Sequence, residues 1–309
     1  MNLSMQRFHN VKKDITFFYH EEVEKTHWTS LNDEAQNRGY ETRFSNDMDK
    51  KAEIGFYCSD HNNPENSKLS FVMLHGMDQG RNRWPNIWRD WPWHKFDIGL
   101  LPGQSWSNRW RASAFDPYAH PRLGVFEVGS PKADEIFFSA SSFNNKINQL
   151  LKILNLPYDR TILYAPSFET DGKQKDIISL LRGKQVNLLI KQWIINADDK
   201  ARHPDIWKNI KEANETILPS DNFIRVLPPD LSIMTCIGCS DILLTDESSV
   251  AYEALLLDLP SFTIDGWKIR TNNSELARPV KPAQNIVTSI SKKDFLELIK
   301  DYKNEFELD

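Results

Sequence analysis

The stretch of residues 239–265 constrains the fold of this chain more than any other part of the sequence. Residues 241–244 form a short apolar run, which is typical of a strand buried on both faces of a parallel sheet. Polar residues that favour helix caps follow at 245–249, and from Val250 the apolar residues recur at helical spacing until Pro260. The stretch therefore predicts a strand, a polar turn, a short helix and a second strand.

The polar turn of this unit is the first candidate for a binding site. The first amides of a helix have no partners within the helix and carry partial positive charge, so they attract anions. Ser248 and Ser249 add two hydroxyl donors for a phosphate at that point. Glu253 lies one turn further along, where its carboxylate can accept hydrogen bonds from ribose hydroxyls. The alternative interpretation is an ordinary helix N-cap.

The same alternation of strand and helix patterns recurs along the chain, which indicates an α/β fold. The predicted strands lie at residues 14–19, 42–45, 53–58, 69–74, 96–101, 125–128, 161–165, 186–191 and 223–226. The predicted helices lie at residues 29–38, 176–181, 204–216, 231–236 and 291–306.

The length and composition of the chain fit two domains of this kind. With 309 residues and 40% hydrophobic side chains, the chain can bury two ordinary cores. Pro157 interrupts the pattern between two groups of strands, so we place the domains at residues 1–156 and 157–309. Because open α/β sheets bind ligands at the carboxyl ends of their strands, we expect the polar loops of the two domains to face each other across a cleft.

Charge and cysteine content argue against several classes of function. The net charge of -5, with acidic and basic residues interspersed, gives no footprint for nucleic acid. The three cysteines favour reduced thiols, and the C-x-x-C at 236–239 lacks the second pair or the histidine of a zinc site. No apolar run approaches the roughly 20 residues that span a bilayer, and residues 1–10 lack a signal-peptide core. We expect a cytoplasmic protein, soluble or peripheral at the inner face of the cell membrane.

Residues 81–111 combine six tryptophans with five arginines. Indole and guanidinium groups at this density form either a surface that stacks on a polyol, a sugar or a lipid headgroup, or a packed aromatic core with its rim. The first arrangement would face the acceptor or a membrane. The sequence leaves both open.

Four segments, in this order along the chain, resemble the CDP-glycerol glycerophosphotransferase family, the primases and polymerases of teichoic-acid-type polymers. They are Leu74-His75-Gly76, the Gly-Ser-Pro-Lys-Ala-Asp run at 129–134, residues 162–168, and Thr245-Asp246-Glu247-Ser248-Ser249-Val250 with Glu253 and Pro260 behind it. The resemblance implies the two-Rossmann-domain fold called GT-B. It also implies transfer of a glycerol phosphate, or a related polyol phosphate, from a CDP-activated donor to an acceptor hydroxyl in the synthesis of teichoic acid or a capsule-like polymer.

The resemblance also implies roles for individual residues. His75 matches the proposed general base, and an imidazole with an unperturbed pKa of about 6.5 suits proton transfer from the acceptor hydroxyl. No metal and no other cofactor is expected. The residues expected to bind the donor nucleotide and its phosphates are Ser248, Ser249, Glu253, Asp246, Lys191, Pro166 and Ser167, with Gly76, His203, Lys132 and Arg81 as further candidates.

The sequence departs from the family pattern at several positions. The family carries Lys-x-His-Pro after the strand at 186–191, whereas this chain has Lys191-Gln192-Trp193-Ile194. Either the donor phosphates are held differently, or His203 supplies the missing ring. Lys132 replaces an arginine of the family, so bidentate phosphate binding there is less favoured. Glu247 stands where the family has tyrosine.

These departures keep two alternative functions open. The first is a metal-independent GT-B glycosyltransferase that uses a nucleotide sugar for a surface polysaccharide. The second is a non-catalytic module that binds a polymer or a headgroup on the tryptophan-rich region. The exact donor, the acceptor and the oligomeric state do not follow from the sequence.

Overall fold

The computed structural model describes residues 12–58, 62–74, 76–77, 86–137, 140–167, 171–193, 200–201, 203–271 and 275–301. The chain forms two compact units that divide between residues 139 and 140, whereas the sequence placed the boundary after residue 156. The difference is the helix Ala140–Leu154, which packs on the helix Ile233–Gly238 of the second unit. A side chain at Gly238 would collide with Ile147, so the missing Cβ lets the two helices approach.

The first unit is a six-stranded parallel sheet in the order β2-β1-β3-β4-β5-β6. Its strands are β1 (Asp14–Phe18), β2 (Glu41–Ser45), β3 (Ala52–Tyr57), β4 (Ser67–Val72), β5 (Ile98–Leu101) and β6 (Gly124–Glu127). Its helices in the described ranges are Glu22–His27, Thr29–Asn37, Ile87–Asp90, Gln104–Ala112 and Asp134–Phe137. The six strands predicted for this part of the sequence are confirmed.

The tryptophans of the first unit form a core. Trp88, Trp93 and Trp106 are 0%, 1% and 4% exposed, and Trp91 is also buried. The indole N–H of Trp88 donates to the hydroxyl of Ser113 at 2.7 Å, so a polar atom in this core has its partner. The stacking-surface interpretation is therefore wrong for these four tryptophans. Arg81, Arg83 and Trp84 lie outside the described residues.

The second unit has its own six-stranded parallel sheet in the order β14-β11-β10-β7-β8-β9, and a separate two-stranded hairpin. The strands of the sheet are β7 (Thr161–Tyr164), β8 (Asn187–Ile190), β9 (Ile224–Val226), β10 (Ile242–Leu244), β11 (Ser261–Ile264) and β14 (Val287–Ile290); the hairpin pairs β12 (Lys268–Ile269) with β13 (Arg278–Pro279). The helices in the described ranges are Ala140–Leu154, Lys173–Leu181, Pro204–Glu215, Ile233–Gly238, Val250–Ala254 and Lys292–Asp301.

The central strands of this second sheet explain why the sequence predicted it. Every residue of β7, β8 and β10 is buried, because helices cover both faces of a parallel sheet. A predominantly apolar run is the pattern that such strands require, and the polar residues Thr161 and Asn187 stand at the first positions of β7 and β8. None of the helices in the described ranges has the length and hydrophobicity of a membrane-spanning segment.

Candidate functional site

The second sheet has a switch point between β7 and β10. These strands are neighbours, but the chain continues from β7 towards β8 on one side and from β10 towards β11 on the other. In open α/β sheets the loops at such a point diverge and leave a crevice for ligands. Here the loops are residues 165–167 after β7 and residues 245–249 after β10. The hydroxyl of Thr245 donates to the carbonyl of Ala165 at 2.8 Å, which joins the two loops at their base.

Asp246 connects the two loops of this crevice. Its side chain is buried, and its Oδ1 accepts hydrogen bonds from the backbone amide of Ser167 at 2.8 Å and from the hydroxyl of Ser167 at 2.9 Å. The amide of Glu247 donates to the same oxygen at 2.6 Å. Three donors on one carboxylate oxygen fix both its orientation and the course of the loops around it. The structure thus brings Asp246 and Ser167 together, with Pro166 next to Ser167 in the chain, and binding of the donor by these residues stays a prediction.

Ser248 and Ser249 lie at the start of the helix Val250–Ala254, half-buried at the edge of the crevice. The hydroxyl of Ser248 accepts a hydrogen bond from the amide of Val250 at 3.4 Å, and the side chain of Ser249 makes no capping bond. The N-cap interpretation therefore accounts for one of the two serines at most. Because the helix has only five residues, the attraction for an anion comes from the local amides and hydroxyls rather than from a long helix dipole.

Glu253 lies in the helix Val250–Ala254, which follows the turn of Ser248 and Ser249. The residue is 1% exposed, so its carboxylate is buried. Its role at the ribose of a donor stays a prediction.

Lys191 follows β8, the strand next to β7, and its ammonium is bound to backbone carbonyls. Its Nζ donates to the carbonyl of Pro229 at 2.7 Å and to that of Gln192 at 3.4 Å. These two carbonyls hold the ammonium at the end of β8. The side chain of Gln192 turns away and donates to Gln174 at 2.7 Å, which explains why the residue after Lys191 is buried.

Trp193 occupies the position where the family has its second histidine, and His203 lies against it. The two rings are 5.2 Å apart between centroids and meet edge to face. His203 immediately precedes the helix Pro204–Glu215, and its carbonyl accepts the amide of Trp207 at 3.1 Å. The imidazole of His203 is therefore a neighbour of Trp193, and its replacement of the missing ring stays a prediction.

Glu247, at the position of a family tyrosine, holds the hairpin of β12 and β13. Its carboxylate accepts both terminal guanidinium nitrogens of Arg278, one of them at 2.7 Å, and also the amide of Lys281 at 2.6 Å. The hydrogen bonds from Arg278 to Glu247 raise the pKa of that guanidinium further. Glu247 is thus an anchor for the hairpin, and its carboxylate is engaged.

A buried charge cluster lies behind Asp246. The ammonium of Lys173 is 3.0 Å from Oδ2 of Asp171 and 3.3 Å from Oδ2 of Asp246. Asp171 also accepts the amide and the hydroxyl of Thr271 at 2.7 and 2.6 Å. Burial raises the pKa of Asp171, but the Thr271 hydrogen bonds and the Lys173 charge outweigh it, so the net pKa is lowered.

Sequence reasoning missed Asp171, Lys173 and Arg278. The available signal was Asp-Gly-Lys between the strand at 161–164 and the next helix, where a lysine at a helix start opposes the helix dipole. No local pattern pointed to Arg278, because its partner is distant in the sequence.

The predicted residues of the first unit are only partly described. His75 and Arg81 lie outside the described residues, and Gly76 is buried after β4. Lys132 is half-buried in the turn Pro131–Ala133 after β6, and the hydroxyl of Ser30 donates to the carbonyl of Pro131 at 2.7 Å. Among the described residues, no cluster of histidine, cysteine, aspartate and glutamate could hold a metal ion.

Solved structures with the same fold define the class of this chain. The wall teichoic acid polymerase TagF superimposes with a TM-score of 0.57 at 15% identity, over 94% of this chain and 80% of its own. A TagF variant soaked with CDPG superimposes with a TM-score of 0.59 at 13% identity, over 96% of this chain and 82% of its own. UDP-GlcNAc 2-epimerase from Methanocaldococcus jannaschii, in complex with UDP-GlcNAc and UDP, superimposes with a TM-score of 0.58 at 12% identity. The match covers 94% of this chain and 92% of the epimerase chain. Each of the two units is a Rossmann-like α/β sheet, and the fold is of the GT-B type.

The family follows from the sequence match. The model of the CDP-glycerol:poly(glycerophosphate) glycerophosphotransferases matches residues 106–265, just over half of the chain. The chain therefore belongs to this family of transferases. No curated protein matches the sequence.

Proposed function

We propose that this protein transfers glycerol phosphate, or a related polyol phosphate, from a CDP-activated donor to an acceptor hydroxyl in the synthesis of a cell-surface polymer of the teichoic-acid type. The family membership supports the reaction class. The observation that carries the assignment of the donor site is the pair of loops joined by Asp246 and Ser167 at the switch point. A TagF structure soaked with CDPG supports CDP-glycerol as the donor.

In this proposal the donor phosphates bind at the turn before the helix Val250–Ala254. The hydroxyls of Ser248 and Ser249 and their amides donate to phosphate oxygens, and Lys191 supplies positive charge from the neighbouring strand end. Because these donors are fixed by the fold, they stabilise the negative charge that develops on the leaving nucleotide. His203 supplies the imidazole that the family carries two residues after Lys191.

The chemical step of this proposal takes the role of His75 from the family resemblance. His75 takes the proton of the acceptor hydroxyl, whose oxygen attacks the phosphorus next to glycerol. The bond from that phosphorus to the bridging oxygen breaks, and CMP leaves with the electron pair. The products are CMP and a glycerol phosphate ester of the acceptor.

The test of this function is release of CMP from CDP-glycerol in the presence of an acceptor polymer or lipid-linked primer. We expect release by the wild-type protein, loss of at least about 100-fold in His75→Ala, and no loss on addition of chelator. Ser249→Ala should raise the donor KM. Unchanged activity of His75→Ala would remove the base assignment, loss of activity in chelator would remove the metal-independent mechanism, and absence of CMP release would overturn the function itself.

A nucleotide sugar is the second candidate donor, since the UDP-GlcNAc 2-epimerase has a similar fold. A thermal-shift panel decides between the donors: stabilisation by CDP-glycerol above UDP- and CMP-sugars supports the first, and the reverse order selects the glycosyltransferase. The non-catalytic alternative required a binding surface of exposed tryptophans. The four tryptophans at positions 88, 91, 93 and 106 are core residues, so they do not form such a surface.

We infer peripheral membrane association from an exposed surface of the first unit. Phe115 is 77% exposed, and Tyr118 and Leu123 are each 44% exposed. Lys95 is exposed in the turn Trp93–Lys95, which contacts the turn Pro117–Ala119, and it adds positive charge there. Apolar and basic side chains together favour an anionic bilayer surface. Sedimentation with vesicles of anionic lipid, but not with neutral vesicles, is expected; loss of that difference in Phe115→Ser would confirm the surface, and equal sedimentation of both proteins would exclude it.

A further inference from the structure

The buried lysine behind the candidate donor site has no role in the reaction described above. The side chains of Lys173, Asp171 and Asp246 are 1%, 1% and 0% exposed. Placing charged groups in the interior is costly, and a buried ion pair often contributes little net stability compared with apolar packing. The arrangement of this cluster therefore calls for a reason other than stability.

The position of Lys173 in its helix also indicates a role other than stability. It is the first residue of the helix Lys173–Leu181, where the positive end of the helix dipole disfavours a cation. Gly172 precedes it with a φ of 71°, a left-handed conformation that suits glycine. The backbone thus turns sharply to direct this side chain into the interior, whereas Lys175 on the same helix is exposed to solvent.

The two oxygens of Asp246 have different partners. Oδ1 accepts the amide and hydroxyl of Ser167 and the amide of Glu247. Oδ2 makes no hydrogen bond and lies 3.3 Å from the ammonium of Lys173, an ion-pair distance. Lys173 therefore attracts Oδ2, the oxygen to which the loops donate no hydrogen bond. This attraction keeps Oδ1 turned towards Ser167.

Removal of the ammonium would leave Oδ2 of Asp246 buried with neither a hydrogen bond nor an opposite charge beside it. The carboxylate would then no longer be held in one orientation. A rotation that brings Oδ2 to another donor breaks the bonds from Ser167 to Oδ1 and loosens the loops at the switch point.

We propose that Lys173 is a positioning residue of the donor site, which holds Asp246 in the orientation that fixes the Ser167 loop against the turn before Ser248. Its effect on donor binding rests on the proposed function. Its effect on the loop does not, so the two are measured separately.

The variant Lys173→Met is compared with Lys175→Met, the matched control on the exposed side of the same helix. Hydrogen bonds to a charged group are worth enough that loss of one corresponds to about a 10- to 100-fold change in an equilibrium. We expect the donor KM to rise by about this factor in Lys173→Met, with kcat within about threefold of wild type and the acceptor KM unchanged. Hydrogen exchange of the Ser167 amide should accelerate by a similar factor. Lys175→Met should change none of these.

A second variant covers the case in which Lys173→Met does not fold. Lys173→Met combined with Asp171→Asn removes one negative charge with the positive one, so the net charge of the cluster stays as in wild type and the double variant is expected to fold. It still lacks the ammonium beside Asp246, and it should therefore show the same rise in donor KM and the same fast exchange at Ser167.

The outcomes separate this inference from the function. If wild type releases no CMP, the proposed function fails, and the exchange of the Ser167 amide alone decides the role of Lys173. If the double variant exchanges at Ser167 and binds donor as wild type does, Lys173 is not a positioning residue. A fall in thermal stability with an unchanged donor KM and unchanged Ser167 exchange would likewise overturn the proposal.

Discussion

The anchoring of the hairpin by Glu247 gives a prediction whose size follows from the structure. Glu247 accepts two guanidinium nitrogens of Arg278 and the amide of Lys281, and its side chain is 8% exposed against 30% for Arg278. Glu247→Gln keeps the shape of the side chain. It removes the charge and turns an N–H towards one of the donors of Arg278, so at least one strong hydrogen bond is lost.

The expected cost lies between two reference values. Ion pairs exposed to solvent contribute about 0–1 kcal/mol, and hydrogen bonds to charged groups contribute about 1.5–3 kcal/mol. Because Glu247 is buried while Arg278 is partly solvated, we expect about 1–3 kcal/mol. If this free energy holds the second strand of the hairpin, amide exchange at residues 275–281 should accelerate about 5- to 100-fold in Glu247→Gln.

Hydrogen-exchange mass spectrometry of the full chain measures this directly. The matched control is Glu212→Gln, because Glu212 pairs with Lys208 at 3.8 Å on an exposed helix face with side chains 57% and 72% exposed. It should change exchange in its own helix by no more than about twofold. Equal effects of the two variants, or unchanged exchange at residues 275–281 in Glu247→Gln, would refute the anchoring role.

Three further predictions concern stability and thiol chemistry. Trp93→Ala should lower the free energy of unfolding by about 3–5 kcal/mol in denaturant titrations, because Trp93 is fully buried, whereas Trp207→Ala at a partly exposed site should cost less than half of that. The hydrogen bond from Arg182 lowers the pKa of Asp221 below its ordinary value of 3.8, so Asp221→Asn should lower the free energy of unfolding at neutral pH. The difference in unfolding free energy from wild type should vanish as the pH falls through the pKa of Asp221 in the folded protein. A difference that persists in acid would contradict this. Burial raises the pKa of Cys239 to about 11, so iodoacetamide at pH 8 should label this thiol slowly in native protein and rapidly after denaturation, as followed by mass spectrometry.

The two sheets could be predicted from the sequence because their strands carry an unambiguous signal. The strand β10, which is buried along its whole length, is an uninterrupted apolar run, and the polar residue Thr245 follows directly where the run ends. The turn after β10 was predictable for the same reason. Its residues change from apolar to cap-forming at the strand end, and the helix behind it begins at Val250, as the change of period indicated.

The contacts that build the site were not predictable, because they join residues that are distant in the sequence. Asp171 and Asp246 meet only when β7 and β10 become neighbours in the sheet. The strands β12 and β13 have two residues each, too few for any periodicity, and the contacts of β13 with the distant Glu247 leave no local pattern in the sequence. Density of tryptophan likewise cannot tell a core from a surface, since indole suits both; burial alone distinguished them.

The two acidic residues of the Thr-Asp-Glu-Ser-Ser turn have separate structural tasks, and this changes the meaning of a departure from the family. Asp246 holds the loop after β7, and Glu247 holds the hairpin. Glu247 in place of a tyrosine therefore alters how the hairpin is attached. In the proposed site the donor phosphates meet the hydroxyls of Ser248 and Ser249, and Glu247 is not among these groups. Under that proposal the substitution gives no reason to prefer a nucleotide sugar over CDP-glycerol, and we expect the groups around Lys191 and His203 to decide the choice of donor.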